Sequence, residues 1–183
     1  MTTAQATIPV SRADVLRLQH EAGIEYVNGQ YLEKPVSRDS SWIEGKIARL
    51  LANAIGDSGY ARVFPSSLGY QCFADDPAKF RKPDVSVIRS ERLSEEDEGL
   101  MHVPPDLAVE VVSPGDTASE LDDKVLEYLA NGFRLVWVVF PSSRSVVVHR
   151  PAASPVRLSA SQEITGESAV PTFRCKVAEF FEG

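Results

Sequence analysis

Between Leu107 and Phe140 the chain reads strand, helix, strand, and that succession leaves few folds open. Leu107 to Val112 is a short apolar run, and Ser113-Pro114-Gly115-Asp116 turns the chain after it. Thr117 followed three residues later by Glu120 is a capping-box pattern, and Gly132 stands where a C′ glycine belongs, so the spacing predicts a helix over Ala118–Asn131. Leu135 to Phe140, β-branched and aromatic, is the second strand. Two strands joined through a helix run parallel, as a right-handed crossover.

The remaining elements build a sheet around that unit. Ser11–Ala22 reads as a short helix with Val15, Leu16 and Leu18 on one side. Asn28-Gly29, flanked by Ile24–Val27 and Gln30–Glu33, signals a type I′ hairpin. A helix is expected over Ser41–Ile55, closed by Gly56 and Gly59. Strands follow at Tyr60–Phe64, Leu68–Phe73 and Asp84–Ile88, then an acidic loop or short helix over Arg92–Leu100. Ser145–Arg150 is a further strand, and the proline-punctuated tail holds one or two edge strands. The implied fold is α/β (α+β): a mixed β-sheet flanked by helices, antiparallel before the crossover. With 183 residues and neither repeat nor linker, residues 1–183 are expected to form a single domain. Residues 1–36 read as an N-terminal helix and hairpin extension, and 37–183 as the core with its C-terminal strands.

Composition excludes several classes. Neither a basic leader nor an apolar h-region opens the sequence, and the run Leu135–Phe140 is too short to span a bilayer, so no signal peptide and no membrane partner are expected. Cys72 and Cys175 lack a CxxC partner or a nearby His cluster, which argues against structural zinc and fits a reducing cytoplasm. A net charge of −7 and a pI near 5.0 sit awkwardly with nucleic-acid binding. Lys79, Arg81, Lys82, Arg89 and Arg92 nevertheless crowd around Asp84. They make either a local basic rim or part of a mixed, solvated surface.

Four side chains stand out for chemistry. Alternation along the strand sets Leu107, Val109 and Val111 on one face and Ala108, Glu110 and Val112 on the other. Helices cover both faces, so Glu110 needs a cationic partner, because burying a lone carboxylate costs several kcal/mol. Asp84 enters its strand directly after Pro83, either as a turn residue or reaching toward a neighbouring strand end. Lys124 falls beside Leu121, Val125 and Tyr128 at the margin of its helix's apolar stripe. It either runs its stem along the sheet toward Glu110 or pairs at the surface with Glu120 or Glu127. Glu44 falls with Leu51 and Ile55 on the inward side of its helix, yet Ser41-x-x-Glu44 is also a capping box. Were Glu44, Asp84 and Glu110 to converge, two carboxylates about 4 Å apart would repel by roughly 4 kcal/mol, so a cation or protonation is required. Oxygen-only donors suit Mg²⁺ or Mn²⁺. Gln71 is a weaker candidate for the same cleft, and His20, His102 and His149 are scattered.

The run Glu110-Val111-Val112-Ser113-Pro114-Gly115-Asp116, with Lys124, Tyr128, Gly132 and Leu135–Val139, resembles the bacterial Uma-two family of the PD-(D/E)xK, restriction-endonuclease-like superfamily. The resemblance extends upstream through Arg81-Lys82-Pro83-Asp84, Tyr70-Gln71-Cys72-Phe73 and Ser41-Trp42-Ile43-Glu44, and spans roughly residues 35 to 182. It implies a restriction-endonuclease-like core with Asp84, Glu110 and the backbone carbonyl of Val111 as metal ligands. The superfamily's motif lysine would stand at Val112. The resemblance instead implies a migrated lysine, Lys124, on the following helix, and assigns Glu44 as the acid of the first core helix. Phe140 departs from the pattern, since many relatives carry Asp there. The activity implied is Mg²⁺- or Mn²⁺-dependent endonucleolytic hydrolysis of DNA by a homodimer. The alternative is an inactive nuclease-fold protein that acts in nucleic-acid binding or assembly.

Overall fold

The computed structural model describes residues 17, 21, 23–34, 36–94 and 99–183. Most of the helix expected over Ser11–Ala22, and Glu95 to Glu98 of the acidic segment, lie outside the described residues. The hairpin forms as the sequence indicates. Strand β1 (Ile24–Val27) pairs with β2 (Gln30–Glu33) around Asn28 and Gly29, whose φ values of 51° and 78° are those a type I′ turn demands.

The central sheet has six strands in the order β3 (Ala61–Pro65), β4 (Val85–Arg89), β5 (Leu107–Val111), β6 (Val136–Phe140), β7 (Ser145–His149), β8 (Val156–Leu158). Only β5 and β6 pair in parallel, and helix α2 (Ala118–Ala130) links them. Thr117 and Glu120 cap α2 reciprocally, and Gly132 follows its end with φ 88°. The tail supplies the edge strand β8 and a separate hairpin of β9 (Glu163–Gly166) and β10 (Val170–Lys176).

Two expectations change. Helix α1 spans Arg38–Ile55, so Ser41 lies inside it. Ser37 is the N-cap: its hydroxyl accepts from Ser40 N, and Ser40 Oγ accepts from Ser37 N, each at 3.0 Å. The capping box is therefore Ser37–Ser40, and a Ser41–Glu44 box has no helix start to cap. Second, Leu68–Phe73 is not a strand. Tyr70 is held by isolated bridges, exchanging backbone hydrogen bonds with Arg81 while its neighbours bond to Met101. A Cβ on Gly69 would lie 2.5 Å from the end of the Leu100 side chain, so a larger residue there would have to displace it.

Both sheet faces are covered. Val109, Trp137, Val139 and Val148 pack against Ile43, Ile47 and Leu51 of α1 and against Phe173 and Phe180. On the opposite face Ala108, Val136 and Val138 meet Val125 and Tyr128 of α2, with Phe133 stacked on Tyr128 at 4.2 Å. Each such fully buried side chain stabilises the fold by roughly 1.5–3 kcal/mol. The α2 face is the one that carries Glu110, which makes its carboxylate the exception needing explanation.

Candidate active site

The site lies where β4 begins and β5 ends. Val85 opposes Val109 across the antiparallel pair, so Asp84 and Glu110 are the next residues out. Asp84 N donates to Val109 O at 3.0 Å, which fixes the backbone. The carboxylate is fixed as well: Asp84 Oδ2 accepts from Val111 N at 2.6 Å. Glu110, only 5% exposed, accepts from the Tyr128 hydroxyl at 2.8 Å and from Lys124 Nζ at 3.0 Å, both on Oε1. Lys124 thus points inward, as the helical count allows, and it pairs with Glu25 and Glu110 rather than with Glu120 or Glu127. Asp84 is no simple turn residue.

Glu25 and Lys34 of the hairpin also belong here, two residues absent from the set that the sequence singles out. The hairpin docks by pairing Tyr26 with Phe80. Glu25, 3% exposed, accepts from Lys124 Nζ at 2.9 Å, Lys82 N at 2.8 Å and Arg81 Nη1 at 3.1 Å. Burial alone would raise its pKa, but Lys124, Lys34, Arg81 and the Lys82 amide outweigh burial and hold it at about 2. Lys34, just past β2, places its ammonium 2.6 Å from Asp84 Oδ1, 2.7 Å from Lys82 O and 3.3 Å from Glu110 Oε2. Burial disfavours that charge, and Glu110, Asp84 and Glu25 reverse the effect and raise its pKa. A signal existed for Glu25: an acid flanked by Ile24, Tyr26 and Val27 on a strand poses the same burial problem as Glu110.

Glu44 faces the cleft from the α1 side without joining this cluster. It lines a cavity of about 380 Å³ with Lys34, Asp84, Val111 and Ser66. Burial raises its pKa; hydrogen bonds from Ser66 oppose the shift and the charge of Asp84 adds to it. Gln71 is half-buried and lines neither this cavity nor the one of about 390 Å³ on the other side of Lys34.

The cations around Asp84 do not form a basic rim. Lys79 and Arg81 are spent on Glu127, Arg92 on Asp106, Arg89 on Glu91, and the Lys82 ammonium on Glu21 O. The rim of the larger cavity carries Glu33, Asp116, Glu120 and Asp123 instead. The burial of these acid–base pairs explains why the sequence looked locally basic while the surface is not.

The oxygens around the Lys34 ammonium test whether the site suits a metal. Asp84 Oδ1, Glu110 Oε2 and the Lys82 carbonyl are hard donors that converge on one positive charge. Such a set fits Mg²⁺ or Mn²⁺, which bind through one or two carboxylates and keep several waters. Among the described residues no group of three or more His, Cys, Asp or Glu converges on a metal position, so two carboxylates would carry the ion.

A mixed sheet carrying an Asp–Glu pair on adjacent strands, with a lysine from the next helix on the Glu, defines an α+β domain of the restriction-endonuclease-like class. A crystal structure described as "a putative nuclease belonging to DUF820", from Anabaena variabilis, is similar in fold. The TM-score is 0.82 at 22% identity, over 94% of this chain and 98% of that one. The chain belongs to the Uma2 family, described as "Putative restriction endonuclease", whose model matches residues 12–178. No curated protein matches it. No helix among the described residues is long and apolar enough to cross a membrane.

Proposed function

We propose that this chain is a Mg²⁺- or Mn²⁺-dependent endonuclease that hydrolyses phosphodiester bonds of DNA at the Asp84–Glu110–Lys124 cluster. The observation that carries the proposal is Lys124 Nζ seated 3.0 Å from Glu110 Oε1, from a helix distinct from the strand bearing the acid. Asp84 and Glu110 are the residues to hold the ion, with the Val111 carbonyl as a third donor. In an extended strand a residue's N–H and C=O face the same side. The Val111 N–H already faces Asp84, so its carbonyl is turned that way too. The ion, when bound, polarises a phosphodiester oxygen and lowers the pKa of a coordinated water.

The chain's own residues do the rest. Val111 N–H and Tyr128 OH hold the carboxylates in place. Lys124 supplies positive charge beside the phosphoryl oxygens, which gain negative charge as water adds; the bond to one sugar oxygen breaks, and that oxygen takes a proton from solvent. Glu44, its carboxyl pKa raised by burial, stands at the neighbouring cavity to take up the proton that the water gives up. A homodimer would let two such sites address two strands, and the cytoplasm is the compartment we assign.

A specific observation favours a second reading, a nuclease-fold protein that binds or assembles without cleaving. Lys34 and Lys124 already balance the carboxylate pair, and the cavity rim is acidic. Cleavage of plasmid and single-stranded DNA with added Mg²⁺ or Mn²⁺ decides between them. Wild type should cut, while Glu110→Gln and Lys124→Ala should not. Equal activity in all three proteins, or none in wild type, removes the endonuclease assignment.

A further inference from the structure

Lys34 occupies the position that the proposed metal needs. Its ammonium takes Asp84 Oδ1, Glu110 Oε2 and the Lys82 carbonyl together, and among the described residues no other hydrogen-bond acceptor holds it. An ammonium and a divalent ion cannot both sit at the point where those three oxygens converge. The two carboxylates are balanced at present by Lys34 and Lys124. Even with Glu25 counted beside Asp84 and Glu110, a divalent charge added while both lysines stay would leave excess positive charge in a buried cluster, which low-dielectric surroundings penalise. One lysine therefore has to withdraw.

The two are not equally free to leave. Lys124 is tied to Glu25 at 2.9 Å as well as to Glu110 Oε1, and it sits inside a capped helix. The backbone of Lys34 is still tied to the hairpin, its N–H donating to Gly23 O at 2.8 Å, but its side chain lines the cavities on both sides, so the flexible stem has room to turn. We propose that Lys34 is a built-in counter-ion that yields its oxygens to a divalent metal, its ammonium moving into the larger cavity to meet a substrate phosphate. The hairpin then couples metal loading to the delivery of a cation onto an otherwise acidic rim. This rests on the metal reading above.

Mn²⁺ binding measured by calorimetry on wild type, Lys34→Met, Lys34→Arg and Asp84→Asn tests it. Lys34→Met, freed of the competing ammonium, should bind Mn²⁺ about tenfold more tightly than wild type, a factor worth about 1.4 kcal/mol. Lys34→Arg keeps a cation and should stay near the wild-type affinity, and Asp84→Asn should lose binding. Folded Lys34→Met that binds no more tightly than wild type overturns the exchange while leaving the metal site standing. Absence of binding in every protein overturns both. Should Lys34→Met not fold, hydrogen exchange of wild type decides: Mn²⁺ should speed exchange in the peptide covering residues 28–34, and unchanged or slower exchange there contradicts the proposal.

Discussion

Lys34 and Lys124 grip opposite oxygens of one carboxylate: Lys34 Nζ lies 3.3 Å from Glu110 Oε2, and Lys124 Nζ lies 3.0 Å from Oε1. One lysine comes from the N-terminal hairpin and the other from the crossover helix, so Glu110 is where two pieces of chain distant in sequence meet. Removing a partner from this cluster has consequences for stability as well as for chemistry.

Truncating Lys124 should be destabilising even without substrate. Lys124→Met leaves Glu25 and Glu110 facing each other across a buried gap, and losing one partner of such a pair costs about 3–5 kcal/mol. Urea denaturation near neutral pH measures this; a loss below about 1 kcal/mol would mean the cluster is solvated.

Tyr128→Phe isolates one hydrogen bond. The ring keeps its stacking on Phe133, while Glu110 Oε1 loses the hydroxyl at 2.8 Å. The expected destabilisation is about 1–3 kcal/mol, since the acceptor is charged. Cleavage should fall while Mn²⁺ binding persists, because Lys124 and the strand still position the acid.

Glu25 gives the fold an acid-side pH dependence. Its pKa is lowered in the fold from 4.5 to about 2, so the unfolded chain binds its proton first as pH falls. The stabilisation is fully present above the unfolded value and fades as pH drops through the folded one. Wild type should therefore lose roughly 3 kcal/mol of its advantage over Glu25→Gln between about pH 5 and pH 2. A stability difference independent of pH across that window would show that Glu25 is not held ionised.

The hairpin turn should matter to the site at a distance. Gly29 has φ 78°, which an alanine adopts only with strain of about 1 kcal/mol. Gly29→Ala should loosen the hairpin that carries Glu25 and Lys34, seen as faster amide exchange at Tyr26 and Phe80, whose backbones bond to each other. Unchanged protection there would detach the turn from the site.

The crossover is legible because it rests on local rules, which bring its lysine to the margin of the apolar stripe but leave its partner open. A capping box, a C′ glycine and a helical repeat of about 3.6 residues together put Lys124 beside Val125 and Tyr128. Glu110 was legible from alternation. The start of α1 was misplaced because Ser37 and Ser41 are both plausible caps in a serine-rich stretch, and only the Ser37–Ser40 exchange distinguishes them. Lys34 was not legible at all: it lies 50 residues from Asp84 and 76 from Glu110, and hairpin docking alone brings it there. The choice between a basic rim and a mixed surface stayed open in the sequence because several of the acids that pair these cations, Glu25, Asp106 and Glu127, are distant in sequence, while Asp75 and Glu91 are local.

Whether Asp84 and Glu110 hold a divalent ion is tested most directly by a crystal structure of the wild-type protein soaked in Mn²⁺, with the ion located by its anomalous signal. The account predicts an Mn²⁺ peak between the two carboxylates, with Lys124 still on Glu110 and the Lys34 ammonium withdrawn. A saturating soak that leaves Lys34 bridging Asp84 and Glu110, with no peak between them, would contradict it.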